Sequence, residues 1–280
     1  MQTFNVENHE PSLLPEGKKW KLVWNDEFDG SELDKEKWDF RLTMMGERWP
    51  GWTDKKGIEL DGKSNAVFTL CEDNGKPVSV QLQTGYNFMD EPLEETKFGE
   101  DRLQWRIGKL HENKFTHKYG YYECRCKLQK TDGWWSAFWI QSPVIGSTLN
   151  PSNSGTEIDI MECFRPGEIA GHNAFTGGYG KDMKNEHVGG MKGLDTDEYH
   201  YFGLLWDKTG YTFYIDGKED GRITNYVSDV EQFILLTTEP KGYRLSSGER
   251  KASKEAYASI GDKFYVDHIR VFDEVTDDEN

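Results

Sequence analysis

The chain has 280 residues, 14% of them aromatic with 10 Trp and 29 Gly, a composition that favours β-structure with many turns and excludes disorder for the bulk of the chain. Lys and Arg total 34 against 50 Asp and Glu, a net charge of −16, and no basic run is longer than Lys18-Lys19 or Lys55-Lys56; this excludes nucleic acid and anionic membrane surfaces as partners. No apolar run nears the roughly 18 residues that span a bilayer.

Residues 1–19 are polar, contain Pro11 and Pro15, and read as an extended N-terminal lead-in. A single domain over residues 20–273 follows, without linker or repeat, and residues 274–280 form an acidic tail. The N-terminus lacks a basic segment followed by an apolar one, so an exported protein is expected here in its mature form. Val67, Phe68, Thr69 and Leu70 make a strand signal, and Asn74-Gly75 ahead of alternating Val78, Val80 and Leu82 marks a hairpin. From Tyr121 to Leu128 the pattern alternates, with Tyr122, Cys124, Cys126 and Leu128 on one face and Glu123, Arg125 and Lys127 on the other. Four Cys are too few for a disulfide scaffold and read as buried free thiols. Asp216-Gly217 marks a second hairpin, and residues 264–272 close the chain as another strand. No segment sustains a helical repeat over three turns. The fold expected is an all-β sandwich of two antiparallel sheets.

The chemistry concentrates in Glu157-Ile158-Asp159-Ile160-Met161-Glu162. On a strand, Glu157 and Asp159 share one face, but strict alternation sends Glu162 to the apolar side. A bulge near Ile160-Met161 returns it to the carboxylate face. Glu157 and Glu162 then lie about four strand steps apart, roughly 13 Å between Cα atoms, close enough for leaning carboxyls to meet at the spacing used by retaining glycosidases. Three clustered carboxylates cannot all ionise freely, which suits a general acid. An acidic solvated strand face and a site for a hard cation are the alternatives on the pattern alone, although no His accompanies the strand at ligand spacing.

This stretch resembles the catalytic signature of glycoside hydrolase family 16 in its bulged form, as found in laminarinases, agarases, porphyranases and carrageenases. The resemblance runs from about Trp20 to Phe272. Trp24-Asn25-Asp26-Glu27-Phe28-Asp29-Gly30 is similar to the family's opening strand and turn. Tyr119-Gly120-Tyr121-Tyr122-Glu123-Cys124-Arg125-Cys126-Lys127-Leu128 and Gly133-Trp134-Trp135-Ser136-Ala137-Phe138-Trp139-Ile140 resemble two of its central segments. Phe213 to Gly217 and Val266 to Val271 match its late strands in order. The resemblance implies a β-jelly-roll with an open concave glycan-binding cleft. It implies Glu157 as nucleophile, Glu162 as general acid/base and Asp159 as the residue that tunes the nucleophile, with no cofactor for catalysis.

The activity expected is retaining endo-hydrolysis of a β-linked polysaccharide, β-1,3- or mixed-linkage glucan first. A β-galactanase of agarase or porphyranase type and an O-glycan-cleaving endo-glycosidase are the alternatives, and a lectin-like binding module is the non-enzymatic one. Such a protein is expected to be monomeric and secreted, periplasmic or at the cell surface. Sugar rings stack on aromatic side chains. Trp135 and Trp139, four residues apart on a strand, are the first candidates to line the cleft. Trp49 and Trp52, in a polar turn-rich loop, and Asn65, before an early strand, are further substrate-binding candidates. In the stretch 172–178 Phe175 stands where many members carry a His, and His172, three residues earlier, is the candidate sugar contact. Glu239 reads as a strand-end carboxylate. The family often holds a structural calcium, for which Asp267 matches the side-chain ligand and Gly30 offers a backbone oxygen.

Overall fold

The alternating segments pair as their periodicity requires. A computed structural model of the chain describes residues 1–44, 46–90, 97–98, 106–107, 111–244 and 250–275. Two antiparallel sheets face one another. The cleft-bearing sheet is built from β1 (Asp39–Phe40), β2 (Gln81–Gln83), β3 (Trp134–Gln141), β4 (Glu157–Cys163), β5 (His172–Thr176), β6 (Lys184–Val188) and β7 (Phe233–Pro240), in the spatial order β6-β5-β4-β3-β7-β2-β1. The second sheet has the strands Gly120–Lys127 and Lys263–Glu274 at its centre, and Trp20–Asp26 pairs with the latter. The described helices are short, Pro151–Ser154 and Lys254–Ala258, with one 3-10 turn at Phe88–Asp90.

Both expected hairpins form. Cys71–Asp73 pairs with Lys76–Val78 around Asn74 (φ 49°) and Gly75 (φ 74°), and Gly210–Ile215 pairs with Lys218–Ile223 around Asp216 (φ 48°) and Gly217 (φ 73°). Positive φ at both central residues gives the turn whose twist matches the strands, which is why Asn-Gly and Asp-Gly occupy it. The core lies between the sheets: Tyr122, Cys124, Cys126, Phe202 and Leu204 of one meet Phe138, Ile140, Ile158, Ile160 and Leu236 of the other, all fully buried. Cys124, Cys126 and Cys163 are buried free thiols, and Cys71 is half-buried.

The N-terminal segment differs from an extended lead-in. Gln2–Phe4 and Ser12–Leu14 form an antiparallel ribbon, and Leu14 packs with Tyr121 and Phe272 on the outer face of the second sheet. The ribbon covers a buried charge network. Arg270 makes paired bonds to Glu27 (2.8 and 2.7 Å) and also donates to the Glu10 carbonyl and to Ser12. Glu274 belongs to the final strand, and the rest of the expected acidic tail beyond Val275 lies outside the described residues.

Candidate active site

The bulge occurs at Ile160. On β3–β4, Trp139 lies opposite Asp159 and Phe138 opposite Met161, so Ile160 is the extra residue. Ile158, Ile160, Met161 and Cys163 fill the core at 0% exposure, while Glu157, Asp159 and Glu162 all face the cleft. One inserted residue therefore converts a two-carboxylate face into a three-carboxylate face.

The register arranges the cleft floor in rows. Glu162 lies beside Ala137, which lies beside Thr237, which lies beside Gln81. The row of Trp135 and Glu239 runs on one side of this, and the row of Asp159 and Trp139 on the other. Ala137, the small residue between the two tryptophans of β3, leaves open space next to the Glu162 carboxyl. The cleft has a volume of about 540 Å³ and is also lined by Arg41, Met44, Phe164, Phe175, Tyr179 and Arg244. The Trp139 indole N–H donates to Thr237 Oγ1 (2.9 Å), which holds the ring upright.

Each carboxylate has a distinct environment. Glu157 Oε2 accepts from Gln141 Nε2 (2.7 Å) and from the Tyr179 hydroxyl, and Gln141 is itself held by Asn87. Burial raises the proton affinity of Glu157, and the bonds from Tyr179 and Gln141 with the charges of Arg41 and Arg244 oppose that rise. Asp159 is pushed well above the usual carboxylate range by burial and by the charges of Glu162 and Glu157. Glu162 is raised to about 7, first by burial and then by the Glu157 charge, and it is hydrogen-bonded with Asp159. Asn173 Nδ2 reaches Glu162 Oε2 at 3.4 Å, with its own Oδ1 anchored on His187 Nδ1 (2.9 Å). Burial raises all three, the opposing hydrogen bonds and charges gather on Glu157, and Glu162 holds its proton to about 7, the asymmetry that acid/base chemistry requires.

Trp135 and Trp139 lie in the cleft as expected; the other substrate-binding candidates do not. Trp49 and Trp52 are 6% and 3% exposed and pack with Tyr243 in a satellite core. Their loop is polar in composition, but Tyr243 folds over it from a distant segment, so closely that a Cβ on Gly51 would meet the Tyr243 ring at 2.7 Å. Trp52 is one of two indoles, with Trp139, whose faces lie against Arg41 (5.8 and 5.7 Å). Asn65 is a turn residue at the edge of the second sheet, tied to Asp61, the Lys63 carbonyl and Tyr199. His172 is fully buried on the core face of β5, stacked flat on Phe213 (4.3 Å between centroids). The period of two puts Asn173 and Phe175 on the cleft side of that strand instead.

Of the two residues matched to a calcium site, Asp267 already has charged side-chain partners. Asp267 Oδ2 is 2.7 Å from an Arg125 guanidinium nitrogen and 3.3 Å from His268 Nδ1, so a divalent cation at that carboxylate would meet an existing cation. Gly30 lines a recess with Asp26, Glu27 and Asp34, and Asp267 is not among the residues that line it. Among the described residues no three His, Cys, Asp or Glu are grouped to hold a metal ion.

Several cleft residues escape sequence reasoning. Glu239 is not a bare strand-end carboxylate: its side chain is 2% exposed and bonded in bidentate fashion to Arg244 (2.9, 3.0 and 2.6 Å). Gln141 was accessible, since it shares the face of Trp135 and Trp139 by period two. Tyr179 and Arg244 come from loops and carry no periodic signal.

Comparison with known proteins agrees with this geometry. The chain is 25% identical over 275 residues to Glucan endo-1,3-beta-glucosidase A1 of Niallia circulans, covering 90% of this chain and 38% of that protein. It is 28% identical over 270 residues to a Beta-glucanase of Rhodothermus marinus, covering 90% of this chain and 85% of that protein. The X-ray structure of the laminarinase from Rhodothermus marinus superposes with a TM-score of 0.64 at 19% identity, over 93% of this chain and all of that one, and shares the jelly-roll fold. Residues 68–259 match the family described as Glycosyl hydrolases family 16, and the chain belongs to that family of glycoside hydrolases.

Proposed function

We propose that the protein is a retaining endo-β-glucanase acting on β-1,3- or mixed-linkage glucan, with Glu157 as nucleophile and Glu162 as general acid/base. The observation that carries this reading is the Ile160 bulge, which gathers Glu157, Asp159 and Glu162 on one cleft face. In the first step Glu157 attacks the anomeric carbon while Glu162 gives its proton to the leaving glycosidic oxygen. The Glu157 charge is then consumed in the glycosyl ester. Since that charge is part of what holds the Glu162 proton, Glu162 becomes more acidic and serves as the base that deprotonates water for the second step. Asp159, whose proton affinity burial and both neighbouring charges raise, lies between the two and is hydrogen-bonded with Glu162.

The substrate class is supported by the two curated β-glucanase relatives and by Trp135 and Trp139, which flank the open space at Ala137 as stacking walls for glucosyl units. A polymer of this kind is met outside the cytoplasm, so the reading entails a secreted, periplasmic or cell-surface protein. One chain supplies all of these groups, in keeping with a monomer.

The test is reducing-end release and chain shortening on laminarin, mixed-linkage glucan, agarose, porphyran, carrageenan and mucin glycans, with Glu157→Gln as control. Release from the first two, absent in the control, supports the proposal. Release from a galactan or a mucin glycan alone reassigns the substrate, and full activity of Glu157→Gln overturns the nucleophile. Binding without release by the native chain would favour the lectin-like alternative.

A further inference from the structure

We propose that Arg244, braced by Glu239 against the face of Trp135, is a positioning residue whose fixed positive charge balances the Glu157, Asp159 and Glu162 cluster during the reaction. The inference rests on the reading of that cluster as catalytic.

The geometry begins with Glu239. It lies opposite Trp135 on β7, one row beyond the pair Ala137 and Thr237, so it stands at the Glu162 end of the carboxylate row. Its buried carboxylate takes the guanidinium as a fork, through Nε and a terminal nitrogen. A fork of this kind sets orientation as well as distance. The guanidinium carbon then lies 5.4 Å from the centre of the Trp135 ring, whose neighbour on another side is Phe164 (5.5 Å between centroids). Arg244 itself is 54% exposed, so the charge stands at the cleft wall, where substrate will cover it. Covering a charge lowers its local dielectric and strengthens its field on nearby anions.

The other charged or titratable groups that face the cluster act mainly on Glu157 or through a neighbour, and Arg41 shares the Glu157 charge interaction with Arg244. Arg41 is ion-paired with the buried Asp90 (3.1 Å), Tyr179 bonds Glu157, and His187 acts through Asn173. Arg244 exerts a favourable charge interaction on all three carboxylates, against the mutual repulsion and burial that push their protons on. Without it the cluster takes up protons at higher pH, and Glu157 is less often the free anion its role requires.

The experiment follows the titration of the Glu162 carboxyl carbon by NMR, together with kcat/KM against pH on the glucan degraded, in the native chain, Arg244→Met, the double variant Glu239→Gln/Arg244→Met, and Arg244→Lys. The double variant separates the lost Arg244 charge from the buried Glu239 carboxylate that Arg244→Met alone strands, and its Glu162 titration is expected to move the same way. The expected result for Arg244→Met is a Glu162 titration moved to higher pH and a bell moved the same way. That corresponds to a loss of kcat/KM of roughly fivefold on the acidic limb and a gain on the alkaline limb above pH 7. Arg244→Lys keeps the charge but loses the fork, so its Glu162 titration is expected to lie between those of the native chain and Arg244→Met. An unmoved titration in Arg244→Met overturns the proposal, whether KM alone rises (a simple sugar contact) or activity drops equally at all pH values (a structural role). The carboxyl titration needs no turnover, so it decides the Arg244 question even if Glu157→Gln proves fully active and the catalytic reading falls.

Discussion

His172 Nδ1 lies 2.8 Å from the carbonyl oxygen of Ile160, the extra residue of the bulge. A bulge removes its residue from the ladder, and a buried carbonyl left unpaired is costly. The imidazole N–H supplies the missing donor from the neighbouring strand, while Nε2 faces Asp220 (3.1 Å) and Phe213 stacks on the ring. The histidine expected to touch sugar thus acts from the opposite side of the sheet, on the backbone that aims Glu162.

Replacing His172 with Leu should therefore reduce kcat by roughly tenfold or more, because a shift of about 1 Å in a catalytic group is that expensive. KM should change little, since no cleft surface is lost. Steady-state kinetics on a soluble glucan, alongside a thermal melt to correct for folded fraction, checks this. A rise in KM with kcat unchanged would place the residue in binding instead.

The pH profile of kcat/KM should fall on its alkaline side from about 7, the value to which burial and Glu157 raise Glu162. Glu162→Gln should abolish that limb. It should also spare the first step on an aryl glycoside with an acidic leaving group, which needs no proton. A persisting limb near 7 in Glu162→Gln would assign it to another group.

Ala137 keeps the floor open between Trp135 and Trp139. Ala137→Phe should lower kcat/KM by about 10- to 100-fold through lost ground-state and transition-state binding, with stability altered by no more than about 1 kcal/mol, because the new ring projects into the cleft. Oligosaccharide binding by calorimetry separates this from a folding defect.

Tyr243 seals Trp49 and Trp52 from solvent and its hydroxyl donates to the Pro77 carbonyl (3.0 Å). Tyr243→Ala should cost about 3 kcal/mol, as for other large-to-small changes in a core. Activity at low temperature should be largely kept if Arg41 stays seated. Denaturant unfolding with tryptophan fluorescence reads the loss.

Glu27 is buried but bonded to Arg270 and Asn25, and these bonds, outweighing burial, hold its carboxyl below the usual range. A depressed folded-state value contributes stability above the unfolded value near 4.5 and loses it as pH falls through the folded one. Glu27→Gln should flatten the acid side of the stability–pH curve below about pH 5, and Arg270→Met, which strands a buried carboxylate, should cost about 3–5 kcal/mol at pH 7. Urea titrations at several pH values test both.

How far the site could be read from the chain depends on which residues carry it. The bulge was legible because alternation breaks in one place, and only an inserted residue restores Glu162 to the face of Glu157 and Asp159. Trp135 and Trp139 were legible because a four-residue spacing on a strand keeps one face. Trp49 and Trp52 misled because local polarity says nothing about a ring arriving from residue 243. Asn65 sits in a turn and His172 on a core face, and the alternation of β5 sets Asn173 and Phe175 outward instead.

The strands, their hairpins and the carboxylate face are legible in the chain alone, because these depend on periods of two, on positive-φ turn residues and on one break in the period. The tertiary structure decided what surrounds that face. Tyr179, Gln141, Asn173, Arg41 and the Glu239–Arg244 pair reach the carboxylates from five different segments, and Arg125 occupies Asp267, the residue matched to a calcium ligand. Proton affinity depends on distance and burial in three dimensions, and neither is encoded in the local order of residues.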